Sequence, residues 1–380
     1  MVKAMINSRI EEFASRLDGQ CFVERMGDFG RPRLIDLNMR LYAGEFNAEN
    51  YSSAEKIGRM WDWLCGDNPA SECAGDYGWV AGIGNDLIGQ WRMLPSIIKV
   101  GRHTYKCAWG ADLAVLKEYR NLGIGALLVS RVKKAVSRDL PALLLGGMNG
   151  NSYGIFRESG FTDLGMIPRY LKVIDPRAIL ESYGAPAYIS RLFRSPLKSR
   201  DVSPSPADAE MDDDIGAEFD EFWDSVSAHY MCLGKRDAAY IRWKYKKSPL
   251  WPYNIISVRR SGSLAAFAVV RDGIVKSGAL KGGPIGVITD MLADPGDGRS
   301  VRSLLAAVTR HFAVKGALLV KCDMLNAGLE RLLRRSGFIG IRPAHRFMLG
   351  ANGLASGDEA LASDRNNWLI TSGDSDLDFY

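Results

Sequence analysis

The stretch YRNLGIGALL, residues 119–128, places an arginine (Arg120) and two glycines (Gly123, Gly125) between two contrasting segments. Before it lies the apolar ADLAVL (111–116), which reads as a buried strand. After it, ALLVSRVKKA (126–135) has apolar residues three and four apart, which reads as a helix. The first N–H groups of a helix have no partner within it and carry partial positive charge, so a strand–turn–helix junction of this kind suits a phosphate. Glycine lets the ligand approach the backbone, and Arg120 adds a fixed charge beside the turn. The reading is a pyrophosphate cradle; a purely structural glycine turn is the alternative. Two other phosphate motifs do not fit. A dinucleotide fingerprint needs a third glycine, and an ATPase loop needs Gly-Lys-Ser/Thr.

The chain has 380 residues, 47% hydrophobic and 24% charged, with a formal net charge of +5. This is an ordinary globular composition, long enough for two domains. The mild basicity suits a polyanionic ligand, and no interleaved aromatic-basic pattern points to nucleic acid. The six cysteines and four histidines are scattered with no Cys-x-x-Cys, so no metal is expected. The N-terminus carries acids among its apolar residues, and no apolar run approaches the roughly 18 residues of a membrane span, so a cytoplasmic protein is expected.

The chain also repeats itself. NGNSYGIFRESGF (149–161) and NAGLERLLRRSGF (326–338) each run from Asn to Ser-Gly-Phe, with Gly160 and Gly337 offset by 177. Trp63 and Trp243 each precede a proline by six residues, at an offset of 180. The strand acids Asp112 and Asp290 align at 178. Two copies of one α/β unit follow from this. The Pro- and Ser-rich stretch from Arg191 to Asp214 reads as a linker, with the boundary near residue 200. From Asp358 to Asp378 the chain holds six acids and one arginine, so the segment after Gly350 is expected to be loosely ordered, with NNWLIT (366–371) as an apolar stretch able to dock. Within the first copy, QCFVERM reads as a strand, RPRLIDLNMRLYAGEF as a helix, and GWVAGIGNDLIGQWRMLP as a hairpin turning at Gly84-Asn85-Asp86. PALLLGG reads as a buried strand and FTDLGMIPRYLKVI as a final strand pair.

LAVLKEYRNLGIGALL followed by NGNSYGIFRESGF resembles the general N-acetyltransferase (GNAT) superfamily, over roughly residues 20–175. The pattern falls on Val115, Glu118, Tyr119, Arg120, Gly123 and Gly125, and its second signature on Asn149, Gly160 and Phe161. The resemblance implies an α/β fold of two tandem GNAT-like domains, each a mixed, mostly antiparallel sheet flanked by helices. It implies a catalytic domain over 1–200, a degenerate copy over 201–350 and an acidic tail over 351–380. Acetyl-CoA or another acyl-CoA would be the co-substrate. Its diphosphate would lie on Arg120, Asn121, Leu122, Gly123, Ile124, Gly125 and Ala126, and its pantetheine arm along Ala114 and Val115, where the strand splays from its neighbour. Asn149 and Phe156 complete the expected cofactor contacts. The acceptor would be a primary amine, an amino sugar or sugar nucleotide in view of a likeness to a subgroup found beside bacterial surface-polysaccharide genes. The Trp–Pro segments and the closing NNWLITSGDSDLD carry that likeness. The oligomeric state stays open between monomer and dimer, and contact with a membrane surface is not expected.

Relatives place a tyrosine four residues before Gly-Phe to protonate the leaving thiolate. Phe156 stands there, and Tyr153, one helical turn earlier, is the substitute candidate. Asp112 is the first candidate for general base. In the second copy Val301 and Ser303 replace the two glycines, so one coenzyme A per chain is expected. A coenzyme A sensor or assembly partner without catalysis is the alternative function.

Overall fold

The structure, a computed structural model, describes residues 21–43, 51–71, 78–137, 139–147, 150–190 and 208–378. The first half runs β1 (Phe22–Arg25), α1 (Arg31–Tyr42), α2 (Ala54–Trp61), β2 (Gly78–Ile83), β3 (Asp86–Val100), β4 (His103–Val115), α3 (Ile124–Val136), β5 (Ala142–Gly146), α4 (Gly150–Glu158) and β6 (Thr162–Val173). Two short helices, α5 (Pro176–Ser182) and α6 (Ala187–Ser190), follow. The second half runs β7 (Ala209–Met211), α7 (Glu218–Val226), β8 (Cys232–Gly234), α8 (Ala238–Ile241), β9 (Asn254–Arg260), β10 (Ser263–Ile274), β11 (Pro284–Ala293), α9 (Gly298–Val314), β12 (Leu319–Leu325), α10 (Ala327–Arg335) and β13 (Ile339–Ala351). The chain closes with α11 (Ser356–Ser363) and β14 (Trp368–Thr371).

The local signals act as expected through most of the first half. Pro32 opens α1, where its missing N–H costs nothing. Gly84, at φ +57°, makes the β2–β3 turn. One expectation fails: residues 162–173 form the single strand β6, not a strand pair. Pro168 does not interrupt it, because it lies opposite the register shift in β13 between Ile341 and His345, where ladder bonds are already interrupted.

The strands form one continuous sheet in the order β1-β2-β3-β4-β5-β13-β6-β12-β11-β10-β9-β7. This order reads the same from both ends when each first-half strand is matched to its second-half counterpart. The last strands are exchanged. β13 pairs with β5, from Phe347 opposite Gly146 to Ala351 opposite Ala142, while β6 pairs with β12. The same two-fold relation appears at the centre. Trp63 and Trp243 lie on π-helical turns (Asp62–Gly66 and Arg242–Lys246) and stack at 5.5 Å. Each indole N–H donates to the other's carbonyl, at 2.8 and 2.6 Å.

The segment after Gly350 is not loosely ordered. Trp368 is fully buried, β14 pairs with β12 and β8, and Asp374, Asp376 and Asp378 are all buried. Composition misleads here because the acids meet buried cations from the second half. Asp374 takes Arg236 at 2.6 Å, and Asp378 takes Arg271 at 2.8 Å and the Tyr253 hydroxyl at 2.6 Å. Buried charges persist only when paired in this way.

Candidate active site

β4 carries the site. It pairs in parallel with β5 only from Cys107 to Gly110. Beyond Gly110 the two strands part, and residues 112–115 are half-exposed. On its other edge, Gln90 faces Ala114 while Arg92 faces Ala111, so Asp112 and Leu113 together oppose Trp91 in a bulge. Asp112 adopts φ +51°, a conformation uncommon for a non-glycine residue. A strained residue at a strand's parting point needs support, and here it is dense. The Asp112 carboxylate takes the Arg92 guanidinium, the Tyr42 hydroxyl at 2.8 Å and the Tyr51 hydroxyl at 3.3 Å. Tyr42 and Tyr51 stack at 3.8 Å, and burial holds the Tyr42 hydroxyl well above its ordinary pKa. Beneath lies a buried reciprocal amide pair, Asn38 with Gln90, at 3.1 Å in both directions.

Asp376, from the C-terminal segment, reaches the same bulge, where its carboxylate accepts the backbone N–H of Asp112. Burial, with the Asp112 charge nearby, pushes its pKa up to about 7.

From Val115 the chain turns into α3. Arg120 folds back, its Nε donating to the Val115 carbonyl at 3.0 Å. Asn121 (φ +66°) and Gly123 (φ +86°) take left-handed conformations, and Leu122 is exposed. Gly123 is the N-cap and offers no side-chain cap; the first intrahelical bond is Leu127 N–H to Gly123 O at 3.0 Å. The amides of Ile124, Gly125 and Ala126 therefore stand at the helix start with no capping side chain from the N-cap residue. Gly125 has room for a Cβ, with only the Ile155 side chain at 3.4 Å.

The counterpart in the second half is closed twice. The Asp297 carboxylate caps α9, accepting from Arg299 N–H at 3.2 Å and Ser300 N–H at 3.0 Å. The gap where β11 leaves β12 is filled by the chain's own C-terminal segment. β14 pairs with Met324 and Leu325, Gly373 N–H donates to Thr289 O at 2.9 Å, and Arg236 bridges Asp290 and Asp374.

The structure brings Asp112, Ala114, Val115, Arg120, Asn121, Leu122, Gly123, Ile124, Gly125 and Ala126 into one continuous run along β4 and the start of α3. It does not add Phe156. That ring is 4% exposed and packs in the core, 5.4 Å from Trp91 and 5.5 Å from Phe161. The Tyr153 hydroxyl donates to Asp163 at 2.9 Å, with the Arg346 guanidinium over its ring at 4.6 Å. Asn149 lies outside the described residues. Sequence reasoning missed Arg92, Tyr42, Tyr51 and Asp376. Arg92, Tyr42 and Tyr51 belong to no motif, Asp376 lies in the closing NNWLITSGDSDLD whose role was not read, and all four converge only through the bulge.

The site and the sheet together define an α/β protein with an open strand–helix junction in one half and a topologically matching but closed junction in the other. Residues 33–161 match the family model described as the Acetyltransferase (GNAT) family, so this stretch is a GNAT-family domain. No curated protein matches the chain. Among solved structures, the chain is similar to N-myristoyltransferase from Saccharomyces cerevisiae with bound myristoyl-CoA, at 12% identity and a TM-score of 0.58, over 89% of this chain and 84% of that one. It is also similar to a probable N-acyltransferase from Enterococcus faecalis, at 13% identity and TM-score 0.56, over 88% and 73% of the two chains. A putative acetyltransferase from Pyrococcus horikoshii aligns over 93% and 94%, at 13% identity and TM-score 0.52. At these identities the likeness is one of fold. No helix among the described residues is long and apolar enough to cross a membrane, and none of their His, Cys, Asp and Glu side chains cluster as a metal site.

Proposed function

We propose that this chain is an acyl-CoA-dependent N-acyltransferase acting on a primary amine. The uncapped start of α3, continuous with the open edge of β4, carries this reading. The amides of Ile124, Gly125 and Ala126 take the diphosphate, and the backbone of Leu113, Ala114 and Val115 takes the pantetheine arm. The thioester then lies at the Asp112 bulge. The amine adds to the thioester carbonyl, the thiolate leaves, and the ammonium proton passes to a base. Holding the two reactants in one geometry supplies much of the acceleration, and no covalent enzyme intermediate is needed. Of the carboxylates at the bulge, Asp112 spends its oxygens on Arg92 and two tyrosines, which fixes the strand. Asp376, with its pKa near 7, is better matched to take a proton at neutral pH.

In this reading residues 1–200 form the catalytic domain, and residues 201–350 a tandem copy that has lost its ligand site. Residues 351–380 strap the two together. The amine acceptor is an amino sugar or sugar nucleotide in the proposal drawn from the sequence. A non-catalytic coenzyme A sensor is the second reading, favoured by the engagement of the Tyr153 hydroxyl with Asp163. Free-thiol release from acyl-CoA with a panel of amines, amino sugars included, separates the two. Turnover on any amine establishes the enzyme, whereas tight cofactor binding with no turnover on the panel establishes the sensor.

A further inference from the structure

A cavity of about 200 Å³ opens beside the Asp112 bulge, between α1, the Ala54–Gly66 helical segment and strands β2, β3 and β4. Its wall is apolar, built chiefly from Met26, Phe29, Leu34, Trp61, Leu64 and Met93. Two arginines and one carboxylate also reach it, each engaged through part of its polar atoms, and the lining residue Trp61 has a buried indole N–H with no hydrogen-bond partner among the described residues. Arg31 holds Asp62 through two bonds at 2.9 and 3.0 Å, and Arg92 holds Asp112. An ammonium group entering this space would lose its water and meet only a carboxylate already engaged, and a sugar would meet chiefly N–H donors, the Trp61 indole among them, with no matching acceptors on an otherwise apolar wall. An alkyl chain would gain by entering.

The cavity also lies where the proposed cofactor ends. An arm that starts at the α3 amides and follows the open edge of β4 runs from Val115 back toward Asp112. It cannot continue as an added strand past Gly110, where β5 takes the edge. Its terminal group must turn off the sheet at Ala111 and Asp112, and both residues line the cavity. We propose that this cavity receives the hydrocarbon tail of a medium-chain acyl group, about six to eight carbons long, carried by the coenzyme A thioester. A dry cavity of about 150 Å³ is known to hold benzene, which sets the size of the chain that fits. This inference rests on the reading of the β4–α3 junction as an acyl-CoA site. It replaces acetyl as the transferred group and leaves the amine to approach from outside the cavity.

Calorimetric titration of the full chain with coenzyme A, acetyl-CoA, hexanoyl-CoA, octanoyl-CoA and palmitoyl-CoA tests it. Affinity is expected to rise by up to about fourfold for each methylene buried and to level off once the cavity is full, near eight carbons. The Leu34→Trp variant fills the space from α1 and is expected to remove the preference for octanoyl-CoA over acetyl-CoA. The wild-type series stands alone if that variant does not fold. Equal affinity for acetyl-CoA and octanoyl-CoA in the wild type overturns the inference while leaving the acyl-CoA site in place. Undiminished chain-length preference in folded Leu34→Trp overturns the assignment to this cavity. No binding of any coenzyme A species overturns the underlying reading instead.

Discussion

Two residues separate binding from proton transfer at the site. Gly125 lies in the first turn of α3, where a side chain would stand between the backbone and a diphosphate. A Cβ there meets only Ile155 at 3.4 Å, so Gly125→Val is expected to fold. Losing two charge-assisted amide contacts of about 1.5 kcal/mol or more each should weaken coenzyme A binding by about a hundredfold. Unchanged affinity by calorimetry would remove the diphosphate from this turn. Asp376 gives a pH signature. Its pKa rises from 3.8 to about 7 on folding, chiefly through burial, so the folded state binds the proton more tightly. The stability this contributes is complete below about pH 4 and is lost as pH rises through 7, by at most about 4 kcal/mol. Asp376→Asn keeps an oxygen for the Asp112 N–H and removes the titration. Chemical denaturation should show it gaining on the wild type from pH 4 to 8, while acyl transfer falls; parallel stability curves would place the Asp376 titration elsewhere. The turn and helix start over residues 120–126 were legible in the sequence because glycine spacing marks such a junction locally. Asp376 was not, because its acidity depends on burial against a strand 264 positions earlier in the chain, Asp112 being its partner.

At the scale of elements, α3 and α9 occupy equivalent places and differ in their caps. The sequence showed the loss of two glycines at Val301 and Ser303. It did not show that Asp297 already occupies the amides, since an acid before a helix reads equally well as a solvent-facing cap. Asp297→Ala should cost about 1 kcal/mol of stability, the usual value of such a cap. It should not create a second ligand site, because β14 and Gly373 still fill the gap beside β11. Titration is therefore expected to give one coenzyme A per chain in both wild type and variant, and two equivalent sites in either would contradict the closure. The strands and helices of the first half were legible because hydrophobic period and turn residues agree there. β6 runs unbroken through Pro168, because a proline is tolerated where a neighbour's register is already broken, and that neighbour, β13, lies far along the chain.

The whole molecule is bound together by three crossings that no local pattern announces: the exchanged strands β6 and β13, the reciprocal Trp63–Trp243 bonds, and the C-terminal segment. The recurring landmarks in the sequence read as two self-contained domains. The exchange makes that independence impossible. Residues 1–200 by themselves would lack β13, which occupies the position between β5 and β6, and would leave the edges of both strands without their backbone partners. They would also lack Asp376 beneath the bulge. Residues 201–380 alone would lack β6 beside β12, and the Asp323 carboxylate, 2% exposed and held by Arg169 at 2.6 Å, would lose that cation. Removing one partner of a buried ion pair costs about 3–5 kcal/mol, a large share of a domain's total stability. Each half produced separately is therefore expected to be insoluble or to unfold without a cooperative transition. The two produced together should assemble into a one-to-one complex that regains a cooperative melt and binds coenzyme A. A separately purified first half that melts cooperatively as a monomer and binds coenzyme A with the affinity of the full chain would show that the exchanged strands are dispensable.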